Sequence, residues 1–575
     1  MLALDRYRQT ERGHTAPLLF LATLAAALGS VEASPALWIL ALLLLCAAWC
    51  LAERQVPGVT PISLAVLGYA IWAVASNALA SPAYTPAAAF HAAFLVGGFA
   101  IGRALDDQTR ESVFRTLATG AAILAAWALW QLASGAENRG RAHFETPNTL
   151  ATVLNLALVP ALYLIAAGVR RAALVALAVV LAAGIAATLS RGGFLALAFG
   201  LLAASVLARR ARIALDSRGV ATAVLVLAAG WALAAAAPLA GQLLPAGSGG
   251  GAPTAAHDVL GTTGTSYASR SELYGLAASG LEGHWGLGIG YLGFNALLEA
   301  GRQAVPSYGT ENVTYFAHND YLQTLVELGL PGLAIFVSMI GLPFWLAWRG
   351  GLRASPEPRV LIAALAALAT MATHAAVDFP FYVPLPLLLF GLVLGASERM
   401  LAPAQAIAPR WRTPPARIAG MLIGAGLAVL LLPPVAAEAA AAYGNRKWQA
   451  SDGQAAAYWF EVARRFQPRD WRYHWYVGQF WLAQTASNRD PVAARLADEA
   501  FAAGFAANPR EPRNLLGRIA TQRQFGTLLA APADAATMRE WADTAVGLAP
   551  LNARAKKERD LVLEHLARRP GGAAK

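Results

Sequence analysis

Apolar residues fill the first three-quarters of this chain in blocks of about 17–25, the length that carries a helix across ~30 Å of hydrocarbon. Thirteen blocks are expected as transmembrane helices: residues 16–33, 36–52, 58–80, 87–102, 116–134, 148–169, 172–189, 193–208, 219–237, 321–347, 360–377, 381–397 and 418–436. Short polar connections join them, except for the stretch 238–320. It opens with GSGGGAP (247–253) and GTTGTS, a tether by composition, and continues as YASRSELYGLAASGLEGHW (267–285), which fits an amphipathic helix. The glycine-punctuated GLGIGYLGF follows. A loop of this length is more often functional than idle. The block 321–347 would be ~40 Å long as a straight helix, too long for the hydrocarbon. Gly329-Leu330-Pro331-Gly332 is expected to break it and to leave 320–329 as a short helix at the outer surface.

Past residue 437 the pattern changes to amphipathic helices with a weak repeat. Pro468, Pro509 and Pro550, spaced by 41 and 41, each close an alanine-rich helix: EVARRFQP, AFAAGFAANP and WADTAVGLAP. Such pairs resemble tetratricopeptide-type units, whose usual period is nearer 34. The aromatic run WRYHWYVGQFW (471–481) fits packing between helices, or a stacking surface for sugars or a protein partner.

Composition sharpens the division. The chain is 57% hydrophobic and 14% charged, but charged residues make up roughly 10% of 1–437 and roughly 25% of 438–575, the value usual for soluble domains. The expected architecture is all-α: a membrane domain over 1–437 with a large outer loop at 238–320, and a soluble helical-repeat domain over 438–575. Disorder, collagen-like repeats and a disulfide scaffold are excluded. The two cysteines, Cys46 and Cys50, share one apolar helix face, which argues against a structural disulfide or a zinc site.

Positive charge sets the orientation. With the N-terminus inside, 20 of the 25 basic residues before 438 fall on the cytoplasmic side, and only Arg139, Arg141, Arg191, Arg270 and Arg302 fall outside. Thirteen spans then place the tail outside the cytoplasm. The basic start and the small residues near Ala33 also fit a cleaved signal peptide, but the dozen spans behind them favour an uncleaved first span. The tail's 20 basic against 14 acidic residues suit an anionic membrane face or glycan, or simple solubility. Nothing points to nucleic acid.

The outer mouths are where charge carries chemistry. Arg191 stands in TLSRGGF, a tight hairpin between two spans; Arg270 opens the loop helix; Arg141 lies in ENRGRAHFETPN. Guanidinium groups bind diphosphate in a two-pronged manner and keep their charge, so converging arginines can replace a metal ion. The outer carboxylates Asp258, Glu272, Glu282, Glu299 and Glu311 are scattered, so no metal or other cofactor is expected. His318, in YFAHNDYLQTLVELGLPGL, is the strongest candidate for a proton acceptor. Asp320 and Gln323 fit a D-x-x-Q cap after it, and Asn319 and Asp320 read equally well as capping residues. His374 and Asp378, one turn apart in THAAVDFPFYVPLP, fit a mutually satisfied pair at a helix end, with a place in the cavity left open.

Taken together, HNDYLQTLVELGLPGL (318–333), the SRGG hairpin (190–193), RAHFETPNTLATVLNLALVP (141–160) and GHWGLGIGYLGF (283–294) resemble the O-antigen ligase superfamily over roughly 60–450. That superfamily also holds lipid-linked O-antigen polymerases and bacterial protein O-oligosaccharyltransferases. The resemblance implies a class C glycosyltransferase-like fold in the bacterial inner membrane, with the tail in the periplasm. It further implies a glycan passed en bloc from undecaprenyl diphosphate to an acceptor hydroxyl. On the matching positions Arg191 and Arg270 would hold the diphosphate, Arg141 would assist and His318 would activate the acceptor; Asn319, Asp320, His374 and Asp378 would support them. The leading acceptor is lipid A-core, followed by a growing polysaccharide chain and then by protein. The tail is longer than a bare ligase needs, and HND lacks a second adjacent histidine. A lipid-linked glycan transporter is the reading from another class; it should place charge deep in several helices, where this sequence is mostly apolar.

Overall fold

The computed structural model describes residues 59–105, 107–169, 171–241, 263–301, 316–401, 414–550 and 552–567. The expected spans 16–33 and 36–52, both cysteines, the 247–253 tether and Arg302 lie outside these residues. Every regular element among the described residues is helical. In chain order they are α1 (Pro61–Ala80), α2 (Thr85–Ala104), α3 (Asp107–Ala133), α4 (Pro147–Ala166), α5 (Ala172–Thr188), α6 (Arg191–Arg210) and α7 (Ser217–Gly241), then α8 (Thr263–Ser279), α9 (Phe294–Gly301), α10 (Asp320–Leu346), α11 (Pro358–Ala375), α12 (Pro384–Leu401) and α13 (Pro414–Gln449). The tail supplies α14 (Gly453–Phe466), α15 (Trp471–Asn488), α16 (Pro491–Ala507), α17 (Pro512–Phe525), α18 (Ala535–Leu548) and α19 (Ala553–Ala567).

Nine described helices are long and apolar enough to cross a membrane, and α5 is a shorter apolar one. The chain is a multi-pass membrane protein. Its outward faces carry Ile71, Ile123, Trp130, Val224 and Leu225, all exposed, as a lipid-facing surface requires. Inside the bundle, small residues let backbones meet. Gly98 and Gly102 of α2 face the α12 backbone at Leu388 and Leu392, and Gly391 and Gly395 of α12 face α2 at Leu95 and Phe99. This reciprocal small-x-x-x-small seam makes α2 and α12 one tightly packed pair.

Local chemistry sets the helix ends. Thr60 and Ser63 form a reciprocal capping box ahead of α1, with Pro61 at the first helical position. The expected break in α10 is present: Gly329 has φ 70° and ψ −176°, outside helical space, and Pro331 follows. The segment before it is covered by other parts of the chain. Val326, Glu327 and Leu328 are fully buried, and Val326 packs with Leu273, Ile289, Phe294 and Leu298 of the loop that precedes it. The loop's apolar side chains need cover, and this half-helix supplies it.

In the tail, α14, α16 and α18 end just before Pro468, Pro509 and Pro550, as the repeat predicts. Consecutive tail helices pack on one another. The aromatic run goes to helix packing: Trp471, Tyr473 and Phe480 are buried, and Tyr476 stacks on Phe460. α13 runs without interruption through residue 437, and Ala437, Ala440 and Ala441 pack with Ala463 and Tyr473 of the tail.

Candidate active site

α10 starts from an unusual turn. His318 has φ 56°, a left-handed conformation few non-glycine residues adopt, though histidine is among those enriched there. Three hydrogen bonds hold it. The Asn319 side chain caps α10 by accepting from the Leu322 amide at 3.0 Å. The Gln323 side-chain oxygen accepts from the Ala317 amide at 2.9 Å. The Tyr274 hydroxyl of α8 donates to the His318 carbonyl at 3.1 Å. The expected Asp320–Gln323 cap is therefore corrected: Asn319 is the cap, Gln323 reaches back past it, and Asp320 is engaged elsewhere. Its fully buried carboxylate accepts from the Phe381 amide at 2.9 Å, which ties the start of α10 to the turn after α11.

That tie brings Asp378 to His318. His318 Nδ1 donates to Asp378 Oδ1 at 3.1 Å, and the other carboxylate oxygen lies 3.8 Å from His374 Nε2. The Thr152 hydroxyl of α4 donates to the Asn148 carbonyl at 3.2 Å, so its oxygen accepts from His374 Nδ1 at 2.8 Å. So His374 and Asp378 are not a closed pair: Asp378 hydrogen-bonds His318, while His374 Nε2 stays beyond hydrogen-bond length from it. Burial alone would push the Asp378 carboxyl up, but the hydrogen bond and charge of His318, with His374 and Arg270 nearby, hold it below the ordinary aspartate range. Phe379 packs edge-on to the His318 ring, with Phe316 stacked behind it at 4.1 Å.

α8 and the SRGG hairpin approach this cluster from two directions. Arg270 stands four residues before Tyr274, hence on the same face of α8, and acts electrostatically on both Asp378 and Tyr274. Burial raises the Tyr274 hydroxyl above its usual range, with Arg270 opposing. From the other side comes the SRGG hairpin. Ser190 caps α6 by accepting from the Gly193 amide at 3.0 Å and donates to Asn148 Oδ1 at 2.8 Å. Gly192 packs so close to His374 that a Cβ there would sit 3.0 Å from Nε2, which seats the first turn of α6, opened by Arg191, against this histidine. Ser190→Ala, which removes both bonds, is expected to cost about 1–2 kcal/mol, read as a lower thermal-unfolding midpoint in detergent.

Arg141 is not brought into the cluster by any bond recorded among the described residues. It donates through Nε to Glu137 in its own loop at 2.9 Å. Arg139, two residues earlier, instead reaches the hairpin's base, donating to the carbonyls of Thr188 (3.0 Å) and Leu189 (3.3 Å). Sequence gives no way to rank one over the other. Glu327 is a second residue missed. It accepts from the Tyr382 hydroxyl at 2.7 Å, the Gln323 side chain at 3.1 Å and the Phe294 amide at 3.3 Å, deep behind the histidine. A lone acid in an apolar block was the available signal. Glu398 is likewise buried against Arg103 and Thr60 at the far end of the bundle, so the interior is less uniformly apolar than its sequence suggests.

Among the described residues, no three His, Cys, Asp or Glu side chains gather as a metal ion would need. What the cluster offers is an imidazole oriented by a buried carboxylate, with the Arg270 guanidinium acting on that carboxylate and the N-terminus of α6 against His374, a set suited to proton abstraction beside an anion.

No curated protein matches the chain. Residues 176–337, which run from within α5 through the SRGG hairpin, Arg270 and His318 to beyond the break in α10, match the family described as O-antigen ligase. Asp378 and His374 lie past that range and join the site through the fold. The match, which covers 162 of the 575 residues, supports the O-antigen ligase superfamily for this part of the chain.

Proposed function

We propose that this protein transfers a glycan en bloc from undecaprenyl diphosphate to an acceptor hydroxyl at the outer face of the bacterial inner membrane, joining O-polysaccharide to lipid A-core. The observation that carries the reading is the His318–Asp378 hydrogen bond within electrostatic reach of Arg270. Asp378 fixes the tautomer of His318, so Nε2 is the nitrogen left to take the acceptor's proton. Arg270, with Arg191 at the N-terminus of α6, would bind the diphosphate and stabilise the charge that grows on it as the anomeric bond breaks. Direct attack by the hydroxyl inverts the anomeric centre. The phosphoanhydride-linked donor holds the energy, so no nucleotide is required, and on this reading the arginines do at the diphosphate what a metal ion would otherwise do. The thirteen-span count, the periplasmic tail and its tetratricopeptide-like character belong to this proposal.

Purified protein given lipid-linked polysaccharide and lipid A-core without ATP is expected to form the covalent product. Addition of single repeats to a growing chain would instead identify a polymerase, and a pilin-like protein as the productive acceptor a protein O-oligosaccharyltransferase. Movement of the donor across the membrane with no covalent product would identify a transporter and overturn the proposal. Arg270→Ala is expected to weaken donor use by about 10–100-fold in kcat/KM, the value of one charge-assisted contact to phosphate at about 1.4 kcal/mol per decade, with Arg270→Lys recovering part of it.

A further inference from the structure

We infer that Arg510, in the C-terminal helical region, is a positioning residue for the transfer reaction, acting through the glycine-rich strap of residues 283–291 on the helix that carries His318. The inference rests on the transfer reading above.

The strap and the break in α10 are bonded backbone to backbone. The Ile289 amide donates to the Val326 carbonyl at 2.9 Å, the Gly290 amide to the Glu327 carbonyl at 3.0 Å, and the Leu330 amide to the Trp285 carbonyl at 2.8 Å. The break in α10 frees backbone groups that a continuous helix would pair internally, and the strap takes them up. The strap's far end is fixed to the bundle where the Tyr291 amide donates to Asn77 Oδ1 at 2.6 Å. The same half-helix begins at Asn319 and Asp320, so any movement of the strap is passed to the turn that holds His318.

The tail grips this strap. Arg510 Nη1 donates to the Ile289 carbonyl at 3.1 Å, from a residue 221 positions away. Just before it, the buried Asn508 donates to the Tyr84 hydroxyl at 3.2 Å and accepts from the Arg510 amide at 3.2 Å, fixing the loop between α16 and α17 to the bundle. Ile289 therefore receives Arg510 on its carbonyl while its amide holds α10. The contact is made beside a cavity of about 440 Å³, lined by Arg510, Ala80 and strap residues 283, 284 and 286–288.

The test compares the full-length chain with Arg510→Ala and Arg510→Lys in detergent, by amide hydrogen exchange and by the transfer assay. In Arg510→Ala, exchange at Ile289, Gly290 and Leu330 is expected to rise about tenfold, as loss of one hydrogen bond from a charged donor predicts, with α16 and α17 unchanged. Transfer is expected to fall in kcat by about the same factor, with KM for the lipid-linked donor unchanged, because the arginines that bind it are untouched. Arg510→Lys, which keeps a cationic donor for the carbonyl, is expected to restore most of both, and it carries the test should the alanine variant fail to fold. Unchanged strap exchange overturns the inference, and so does raised exchange with full kcat. A wild-type chain that transfers nothing overturns the transfer reading, and the exchange arm then reports separately whether the tail holds the strap.

Discussion

Replacing His318 with alanine is expected to lower transfer by about 10²–10⁴-fold, roughly 3–5 kcal/mol of transition-state stabilisation, while leaving the bundle folded. The side chain is partly exposed, and the turn around it is held by the Asn319, Gln323 and Tyr274 contacts, none of which uses the imidazole. Asp378→Asn is expected to approach the same loss for a different reason. An amide can donate to Nδ1, which would move the ring proton to Nε2 and present the acceptor hydroxyl with the wrong tautomer. The measurement is single-turnover formation of glycan-linked product, with folding followed by size exclusion and thermal unfolding. A His318→Ala protein that keeps near-wild-type turnover removes the imidazole from the mechanism. The pH dependence has a definite sign. Because the folded-state value of Asp378 is depressed, its stabilising contribution is fully present above the ordinary aspartate range, about 3.9, and is lost only as pH falls through the depressed value. Stability from this carboxylate should therefore be constant across neutral pH and decline only in strong acid.

Gly288→Val is expected to disrupt folding. Gly288 has φ 75°, and a Cβ there would run into the carbonyl group of Glu327, a backbone atom that cannot swing aside. The left-handed conformation costs a β-branched residue about 1–3 kcal/mol, and overpacking at the strap adds about 1–3 more. The stabilities of proteins are only ~5–15 kcal/mol, so a large drop in folded yield and thermal midpoint should follow. Gly275→Ala is the matched control. Gly275 lies on the exposed face of α8 with nothing within 4 Å of an added Cβ, so this change should be neutral or stabilising by roughly 0.5–1 kcal/mol. If Gly288→Val behaves like the control, the strap is not locked against α10.

Several of these features follow from neighbours in sequence. The α10 break follows from a Gly-Leu-Pro-Gly run inside an apolar block, and His374 and Asp378 could be placed on one side of a helix end from their spacing. Asn319 as the cap, rather than Asp320, could not be read: both are good caps by propensity, and only the Phe381 amide, 61 residues away, decides which one is engaged. Arg141 and Arg139 pose the same problem, since two arginines in one loop have equal intrinsic affinity for phosphate and their partners depend on what lies across the bundle.

By itself, the sequence determined that this is an all-helical, multi-pass membrane protein with His318 at a helix start and a charged, amphipathic C-terminal region. These properties follow from hydrophobic block length, helical periodicity and the restricted backbone of glycine and proline, all of which act within a few residues. Tertiary structure alone decided that Asp378 meets His318, that Glu327 is buried among Tyr382, Gln323 and Phe294, and that Arg510 reaches Ile289. A polar group withdrawn from water must find a partner wherever the packing of distant helices places one, and that placement is a property of the assembled bundle rather than of any local segment.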